Sequence, residues 1–289
     1  MTTPEALITT YERWHRAGRP TQVPSKWNLQ SWTKQLGQYE GFFNGLKTDR
    51  IDRKQAVQLA PIVENADDAV KVFLLAMLWG YGLVGYGPFR TRRILDRPEA
   101  AAELFEVAVK AQEMGGLAAF RLIAERRSEA SRPFLKWLGP AFGTKYIYFL
   151  TAMTESQKTT PVMDAVVYRW FRNHAPDRPL RVDFWHSRSY ELFLNSLDEW
   201  TSDITKRLGQ EIRIDDVEYL IFAEGSSFEG NDWSESWDAE IRASSPALLF
   251  DQLRALASSN QPNQHTLKLI DELESHLLSQ DDQTKLPQN

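Results

Sequence analysis

The chain has 289 residues, of which 42% are hydrophobic and 25% charged, a formal net charge of −5 and no cysteine. This composition is typical of a globular protein and excludes wholesale disorder. The lack of cysteine excludes disulfides, cysteine-bound zinc and iron–sulfur clusters. No uncharged apolar stretch approaches the roughly 18 residues of a membrane span, and the N-terminus does not resemble a secretory signal. We therefore expect a soluble cytoplasmic protein.

The charges are unevenly distributed along the chain. Arg90, Arg92 and Arg93 lie close together in the sequence. Residues 120–148 include six basic residues and only two acidic ones. Residues 224–240 carry six acids and no base. The net charge argues mildly against a nucleic-acid partner. The basic middle of the chain, however, would attract a nucleic acid electrostatically. Ordinary solvated helix faces are the alternative explanation of the pattern.

Apolar periodicity predicts helices in the N-terminal half over residues 4–17, 27 to the turn at 41–45, 52–59 and 67–78. Asn65 is expected to cap the last of these, with two acids in the first turn. A loop with four glycines in eight residues follows, interleaved with aromatic residues, and leads to Arg90 and Arg92. This loop is either a helix cap with turns, or the backbone lining of a pocket or a DNA-facing surface.

The second half is also predicted to be helical, so the fold class is all-α. The expected helices cover residues 98–114, 117–127, 133–138, 145 onward, 164 onward, 187–208, 215–223, 246–257 and 265–278. A tight turn is expected at residues 139–144, a loop at 225–237 and a frayed polar tail from residue 279. We divide the chain into an N-terminal helical extension (1–70), a core (71–225) and a C-terminal helical segment (226–289).

The turn at 139–144 and its neighbours form a candidate reaction centre. Glycines at a helix N-terminus leave backbone N–H groups that suit a phosphate. Lys145 is expected in the first turn of the following helix, where the helix dipole and burial beside Phe142 would favour its neutral, nucleophilic amine. Asp164, in the first turn of the next helix, would stabilise positive charge on a sugar or assist proton transfer. The alternatives are a surface lysine and a carboxylate that merely complements a helix dipole.

The segment Pro140-Ala141-Phe142-Gly143-Thr144-Lys145 resembles the helix-hairpin-helix signature of DNA glycosylases, Pro-Gly-Val-Gly-x-Lys. Nineteen residues after Lys145, Pro161-Val162-Met163-Asp164 resembles the Pro-Val-x-Asp segment of that superfamily. The cysteine-free, all-α chain is most similar to the 8-oxoguanine glycosylase branch. Alanine replaces the first hairpin glycine, which argues against a positive φ at Ala141.

The resemblance implies a helix-hairpin-helix fold of two helical lobes with a cleft, acting without cofactor or metal. It implies Lys145 as nucleophile and Asp164 as catalytic carboxylate. DNA contacts are expected from one set of residues: Pro140, Phe142, Gly143, Thr144, Arg90 and Arg92. A flipped base requires a pocket, for which the resemblance implies Glu218 and Phe222, one helical turn apart, and to which we add Trp79. A surface glutamate beside a core phenylalanine is the alternative.

Three functions follow from these patterns. The first is a bifunctional glycosylase and AP lyase that excises a damaged or modified base, possibly an 8-oxoguanine-like purine, from double-stranded DNA. Such a protein would be a monomer, associated with the nucleoid when bound to DNA. The second is a non-catalytic helix-hairpin-helix module that binds DNA in a salt-dependent way. The third is a helical interaction protein in which the hairpin is only a turn.

Overall fold

A computed structural model describes residues 2–129, 134–153 and 157–227, together with residue 269. Within them, twelve α-helices and one two-stranded antiparallel pair establish an all-α fold, as predicted. The first six helices are α1 (Glu5–Arg16), α2 (Leu29–Gln35), α3 (Glu40–Gly45), α4 (Arg53–Leu59), α5 (Ala66–Tyr81) and α6 (Gly87–Leu95). The others are α7 (Ala100–Met114), α8 (Gly116–Glu129), α9 (Pro140–Ala152), α10 (Ala165–His174), α11 (Ser187–Leu208) and α12 (Ile214–Ser227).

Two short strands, β1 (Ser25–Lys26) and β2 (Arg50–Ile51), were not expected from the sequence. Ser25 pairs with Ile51 and Lys26 with Arg50. The helix expected from residue 27 into the turn at 41–45 is divided into α2, a 3₁₀ turn at Gly37–Tyr39 and α3. The predicted helices at 246–257 and 265–278 and the polar tail lie outside the described residues, apart from residue 269, which is helical.

Residues 2–11 and 21–227 belong to one compact unit, and residues 12–20 belong to a second. In the first unit α5 is buried along nearly its whole length and packs against α7 and α9. Asn65 caps α5 as predicted, because its side chain accepts hydrogen bonds from the N–H groups of Asp67 and Asp68. α9 in turn contacts α4, α7 and α8, while α10 and α11 pack on α12. The boundaries proposed at residues 71 and 225, and the two lobes, stay predictions.

Three boundaries differ from the prediction near the candidate reaction centre. α9 begins at Pro140 rather than at Lys145, because a proline is suited to the first helical position, where no N–H is needed. Residues 134–137 form a turn and not a helix, since Leu135 and Trp137 have φ values of 42° and 76°. α12 continues through Gly225 to Ser227, where a loop was expected. None of the described helices is long and apolar enough to cross a membrane.

Candidate active site

Lys145 and Asp164 form a buried ion pair at the junction of α9 and α10. Lys145 Nζ lies 3.0 Å from Asp164 Oδ2. The exposed fractions of the two residues are 8% and 9%. Lys145 is in the second turn of α9, not the first, so the helix N-terminus acts on it less directly than expected. The pair excludes the interpretation of Lys145 as a surface lysine.

Asp164 was expected in the first turn of α10, and the structure places it at the N-cap, directly before that turn. Its Oδ1 accepts hydrogen bonds from the N–H groups of Val166 and Val167, while Oδ2 faces Lys145. Burial opposes ionisation of this carboxyl, but the Lys145 ammonium and the two backbone donors outweigh it and lower the pKa of Asp164 below its usual value. The carboxylate is therefore charged at neutral pH, and one of its oxygens is left to act on the lysine.

Thr144 fixes the relative position of the two helices. Its hydroxyl oxygen lies 3.2 Å from both the backbone N and the backbone O of Met163, the residue before Asp164. The side chain is fully buried. This clamp joins α9, next to the lysine, to the segment that presents the carboxylate. The sequence suggested Thr144 as a DNA contact; the structure shows its hydroxyl engaged inside the protein.

Two aromatic rings, those of Trp79 and Phe142, lie close to Lys145. Its Nζ lies 5.8 Å from the ring centroid of Trp79 and 5.4 Å from that of Phe142. Phe142 stacks on Tyr81 with a centroid distance of 3.9 Å. A Cβ at Gly80 would lie 2.8 Å from Lys145 Cδ and from Phe142 Cε1, so only glycine leaves room for both side chains. α5 thus provides one wall of the site.

The turn before α9 is held from two sides. The backbone N–H of Leu135 donates to Glu103 on α7 over 2.6 Å, and Arg127 on α8 donates to the carbonyl of Leu138 over 2.7 Å. Glu103 is itself held by a bidentate contact with Arg97. These bonds stabilise a backbone with two left-handed residues, which would otherwise be strained.

The residues expected to contact DNA lie in two places. Pro140 and Gly143 are buried in the first turns of α9, and a Cβ at Gly143 would lie 2.1 Å from the ring of Trp185. This glycine is therefore needed for packing, which the motif alone did not reveal. Ala141 is helical without a positive φ, as predicted. Whether the N-terminus of α9 binds a phosphate stays a prediction.

Arg90 and Arg92 lie on α6, beside the glycine-rich turn. Arg90 stands over the ring of Tyr86 at 4.6 Å, and Arg92 over that of Phe89 at 5.4 Å. Arg92 Nε also lies 3.6 Å from Asp96. Tyr86 and Phe89 are exposed by 54% and 45%. Exposed rings next to guanidinium groups are suited to nucleic acid, because bases stack on such groups.

The residues expected in the base pocket meet a partner that the sequence did not reveal, Arg53. Its guanidinium carbon lies 5.1 Å from the ring centroids of both Trp79 and Tyr148, and its Nη2 lies 2.5 Å from Glu218 Oε2. Glu218 is 1% exposed, which excludes a surface glutamate. Phe222, one turn further along α12, is half-buried. Arg53 follows the capping residue Asp52 in a stretch that resembles an ordinary exposed first turn, so no signal in the sequence marks it.

Burial raises the pKa of Glu218 to about 7, although Arg53 opposes the shift. Arg53 stays charged: burial lowers its pKa, but Glu218, Tyr148 and Asp215 together raise it above its usual value. Asp215 also accepts hydrogen bonds from the Tyr148 hydroxyl and from Arg213. A carboxyl that titrates near neutrality, beside a buried lysine–aspartate pair, is typical of an active site.

The all-α fold places a buried lysine on one helix beside an aspartate that caps the next helix, with a buried arginine–glutamate pair and aromatic rings nearby, which is the arrangement expected of a DNA glycosylase from the sequence motifs. The chain matches a family model described as "Putative 8-oxoguanine DNA glycosylase OGG-like protein" over residues 18–222 and belongs to this family. Comparisons with curated proteins and with solved structures gave no match.

Proposed function

We propose that this DNA glycosylase is bifunctional: it excises a damaged guanine-type base from double-stranded DNA with Lys145 as nucleophile and then cleaves the strand. The observation that carries the proposal is the buried contact of 3.0 Å between Lys145 Nζ and Asp164 Oδ2. A lysine needs a neutral amine to attack, and Asp164 is the carboxylate within reach of its proton.

The chemistry follows from these two groups. The Lys145 ammonium transfers a proton to Asp164, which passes it to the departing base and is again a carboxylate. The Nζ lone pair forms a bond to C1′ of the nucleotide while the C1′–N bond breaks, and its electron pair leaves with the base. The Asp164 carboxylate stabilises the positive charge that develops on the sugar. Opening of the sugar ring gives an imine between Nζ and C1′. Loss of a C2′ proton from this imine then expels the 3′ phosphate and cleaves the strand.

A base in a duplex reaches Lys145 only after it has flipped out. In this proposal Phe222 and Trp79 flank the flipped base, and Glu218 accepts hydrogen bonds from its N1–H and its exocyclic amine. The N-terminus of α9, with Pro140, Phe142 and Gly143, approaches the DNA backbone, and Arg90 and Arg92 hold the adjacent strand. Thr144 serves to position Asp164.

Borohydride trapping tests the proposal. The full-length protein is mixed with a duplex that carries 8-oxoguanine, and sodium borohydride reduces the imine to a stable protein–DNA adduct. We expect an adduct with the wild-type chain and none with Lys145→Gln, while Lys110→Gln, on α7, serves as the control. If the wild-type chain forms no adduct and releases no base from any lesion but binds DNA in a salt-dependent way, it is the non-catalytic DNA-binding module.

A further inference from the structure

The buried pair formed by Arg53 and Glu218 is poorly explained by stability. Removing two charges from water is expensive, and a buried ion pair regains this only when its hydrogen bonds are well formed. Here Arg53 Nη2 lies 2.5 Å from Glu218 Oε2, yet that oxygen makes no aligned hydrogen bond. Replacing a buried ion pair by apolar side chains of similar volume often leaves the stability of a protein unchanged or raises it.

Two buried donors beside this pair, Arg53 Nε and Trp79 Nε1, have no hydrogen-bond partner among the described residues. Glu218 Oε2, an acceptor, meets Arg53 Nη2 at 2.5 Å but without the alignment of a good hydrogen bond. Buried polar groups are normally satisfied, so donors and an acceptor that are poorly satisfied at one place are suited to a ligand with the complementary groups, or to ordered water when no ligand is bound.

The complement of this arrangement is the Watson–Crick edge of guanine. This edge carries one acceptor, O6, next to two donors, N1–H and the N2 amino group. A guanidinium N–H can donate to O6, and a carboxylate accepts from two adjacent N–H groups. Adenine presents a donor where guanine has O6 and lacks the N1 proton.

We infer that Arg53 is a specificity-determining residue: with Glu218 it selects bases that have an intact guanine Watson–Crick edge. The inference rests on the proposed function, in which Glu218 faces the flipped base. As the base enters, the contact between Arg53 and Glu218 is exchanged for hydrogen bonds from Arg53 to O6 and from N1–H and N2–H to Glu218. The pair does not touch the imidazole side of the base, so guanines altered at C8 are accepted, whereas alkylation of O6 is rejected.

Binding to uncleavable substrates tests this inference apart from catalysis. The probes are duplexes with 2′-fluoro nucleosides that carry 8-oxoguanine, 8-oxoadenine or O6-methylguanine, and a tetrahydrofuran abasic analogue. For each variant, affinities are divided by that for the abasic duplex, so that a general loss of DNA binding cancels. We expect the wild-type chain to favour 8-oxoguanine over each of the other two bases by about tenfold or more, as a good bidentate contact gives.

Two variants are compared with the wild-type chain. Arg53→Lys keeps the charge but loses the planar fork, and the double variant Arg53→Met with Glu218→Leu removes both charges and both hydrogen-bonding groups without leaving a charge unpaired. We expect the preference to fall to about twofold or less in both, against the tenfold of a good contact. A preference that persists in Arg53→Lys, or none in the wild-type chain, overturns the inference.

The two proposals fail separately. An adduct in the borohydride assay together with a preference that Arg53→Lys leaves intact would leave Lys145 as nucleophile and remove Arg53 as a specificity residue. A preference that depends on Arg53, together with no adduct in the borohydride assay, would keep Arg53 as a specificity residue and remove Lys145 as nucleophile. Thermal unfolding of each variant shows whether it is folded under the assay conditions.

Discussion

Gly80 of α5 lies against the aliphatic part of Lys145, and a Cβ at position 80 would be 2.8 Å from Lys145 Cδ and 3.3 Å from Cε. The same Cβ would be 2.8 Å from Phe142 Cε1. The position of the lysine amine therefore depends on a residue 65 positions earlier in the sequence. α5, whose other residues are mostly buried and apolar, therefore also determines where the Lys145 side chain lies.

Gly80→Ala should slow adduct formation strongly, whereas it should change the free energy of unfolding only slightly. The methyl group displaces Lys145, and a misplacement of about 1 Å can lower a rate roughly 100-fold. Alanine favours a helix by about 1 kcal/mol over glycine, which offsets part of the steric strain. Single-turnover borohydride trapping and thermal unfolding measure the two effects. Gly41→Ala on α3, where a Cβ would meet nothing within 4 Å, is the matched control; equal rates in both variants would contradict the prediction.

Replacing Asp164 separates its charge from its role as a helix cap. Asn is as good an N-cap as Asp, so Asp164→Asn should keep the cap of α10, but it leaves the Lys145 ammonium buried without its partner and should cost about 3–5 kcal/mol. Asp164→Ala also loses the cap and should cost about 1 kcal/mol more. We expect adduct formation to fall by about 100-fold or more in both variants, since charge stabilisation contributes on this scale.

The measurements are chemical unfolding and single-turnover kinetics. A fully active Asp164→Asn variant would show that the carboxylate serves only to cap the helix. Inactivity of Asp164→Ala alone would lead to the same conclusion.

Thr144→Val should loosen the connection between α9 and the segment before Asp164. Valine has the shape of threonine but no hydroxyl, so the backbone N–H and C=O of Met163 lose a buried partner, at a cost of about 1–3 kcal/mol. Thr144→Ser keeps the hydroxyl and is the control. We expect urea unfolding to show the loss for valine only. Excision should slow, and affinity for an abasic duplex should stay near the serine value; a selective loss of that affinity would instead assign Thr144 to DNA binding.

Gly143→Ala should destabilise the protein because of Trp185. A Cβ at this position would lie 2.1 Å from Cη2 of the indole, which has to move, and such overpacking costs about 1–3 kcal/mol. Gly139→Ala, four residues earlier, would meet nothing within 4 Å; because alanine is a poorer N-cap than glycine, it should cost only about 0.5–1 kcal/mol. Similar losses in the two variants, measured by urea unfolding, would show that the contact with Trp185 is not what requires glycine at 143.

The preference for guanine-type bases should increase with pH. Ionised Glu218 accepts two hydrogen bonds from the base, whereas the neutral acid accepts less well. Because burial raises the pKa of Glu218 to about 7, the carboxylate form increases as the pH rises through this value. The charged and titratable groups around Glu218 are Arg53, Lys145, Tyr148, Asp164, Tyr190 and Asp215.

Of these groups, Asp164 titrates below its usual range and Tyr148 and Tyr190 above theirs. The ratio of the affinities for 8-oxoguanine and 8-oxoadenine should therefore rise between about pH 6 and pH 8 in the wild-type chain. In Glu218→Gln it should be flat. A ratio that is independent of pH in the wild-type chain would show that Glu218 does not contact the base.

The contact between Lys145 and Asp164 could be predicted because the two residues lie in short, contiguous motifs. The segment that ends at Lys145 and the segment that ends at Asp164 each carry several diagnostic residues, and the structure brings their functional groups to 3.0 Å. The all-α class followed from apolar periodicity and the lack of alternating segments. The start of α9 was misplaced because Gly143 suggests a turn, whereas here it makes room for Trp185 within a helix.

Arg53 could not be predicted, because its partners are distant in sequence. Glu218 is 165 residues away, and both aromatic rings that flank the guanidinium come from other helices. Locally, the capping box formed by Asp52 and Gln55 accounts for α4 without any role for the residue between them. Tertiary packing alone turns this first-turn arginine inward.

The origin of Arg53 in α4 has a consequence for how such an enzyme could change its substrate. The lysine and the carboxylate of the reaction centre are supplied by α9 and the start of α10, whereas the charged partner of Glu218 is supplied by a short helix outside that hairpin. With the role inferred for Arg53, substitutions confined to residues 53–59 would alter which base is accepted while Lys145 and Asp164 keep their places. Selectivity is then open to variation or to engineering in a segment of seven residues.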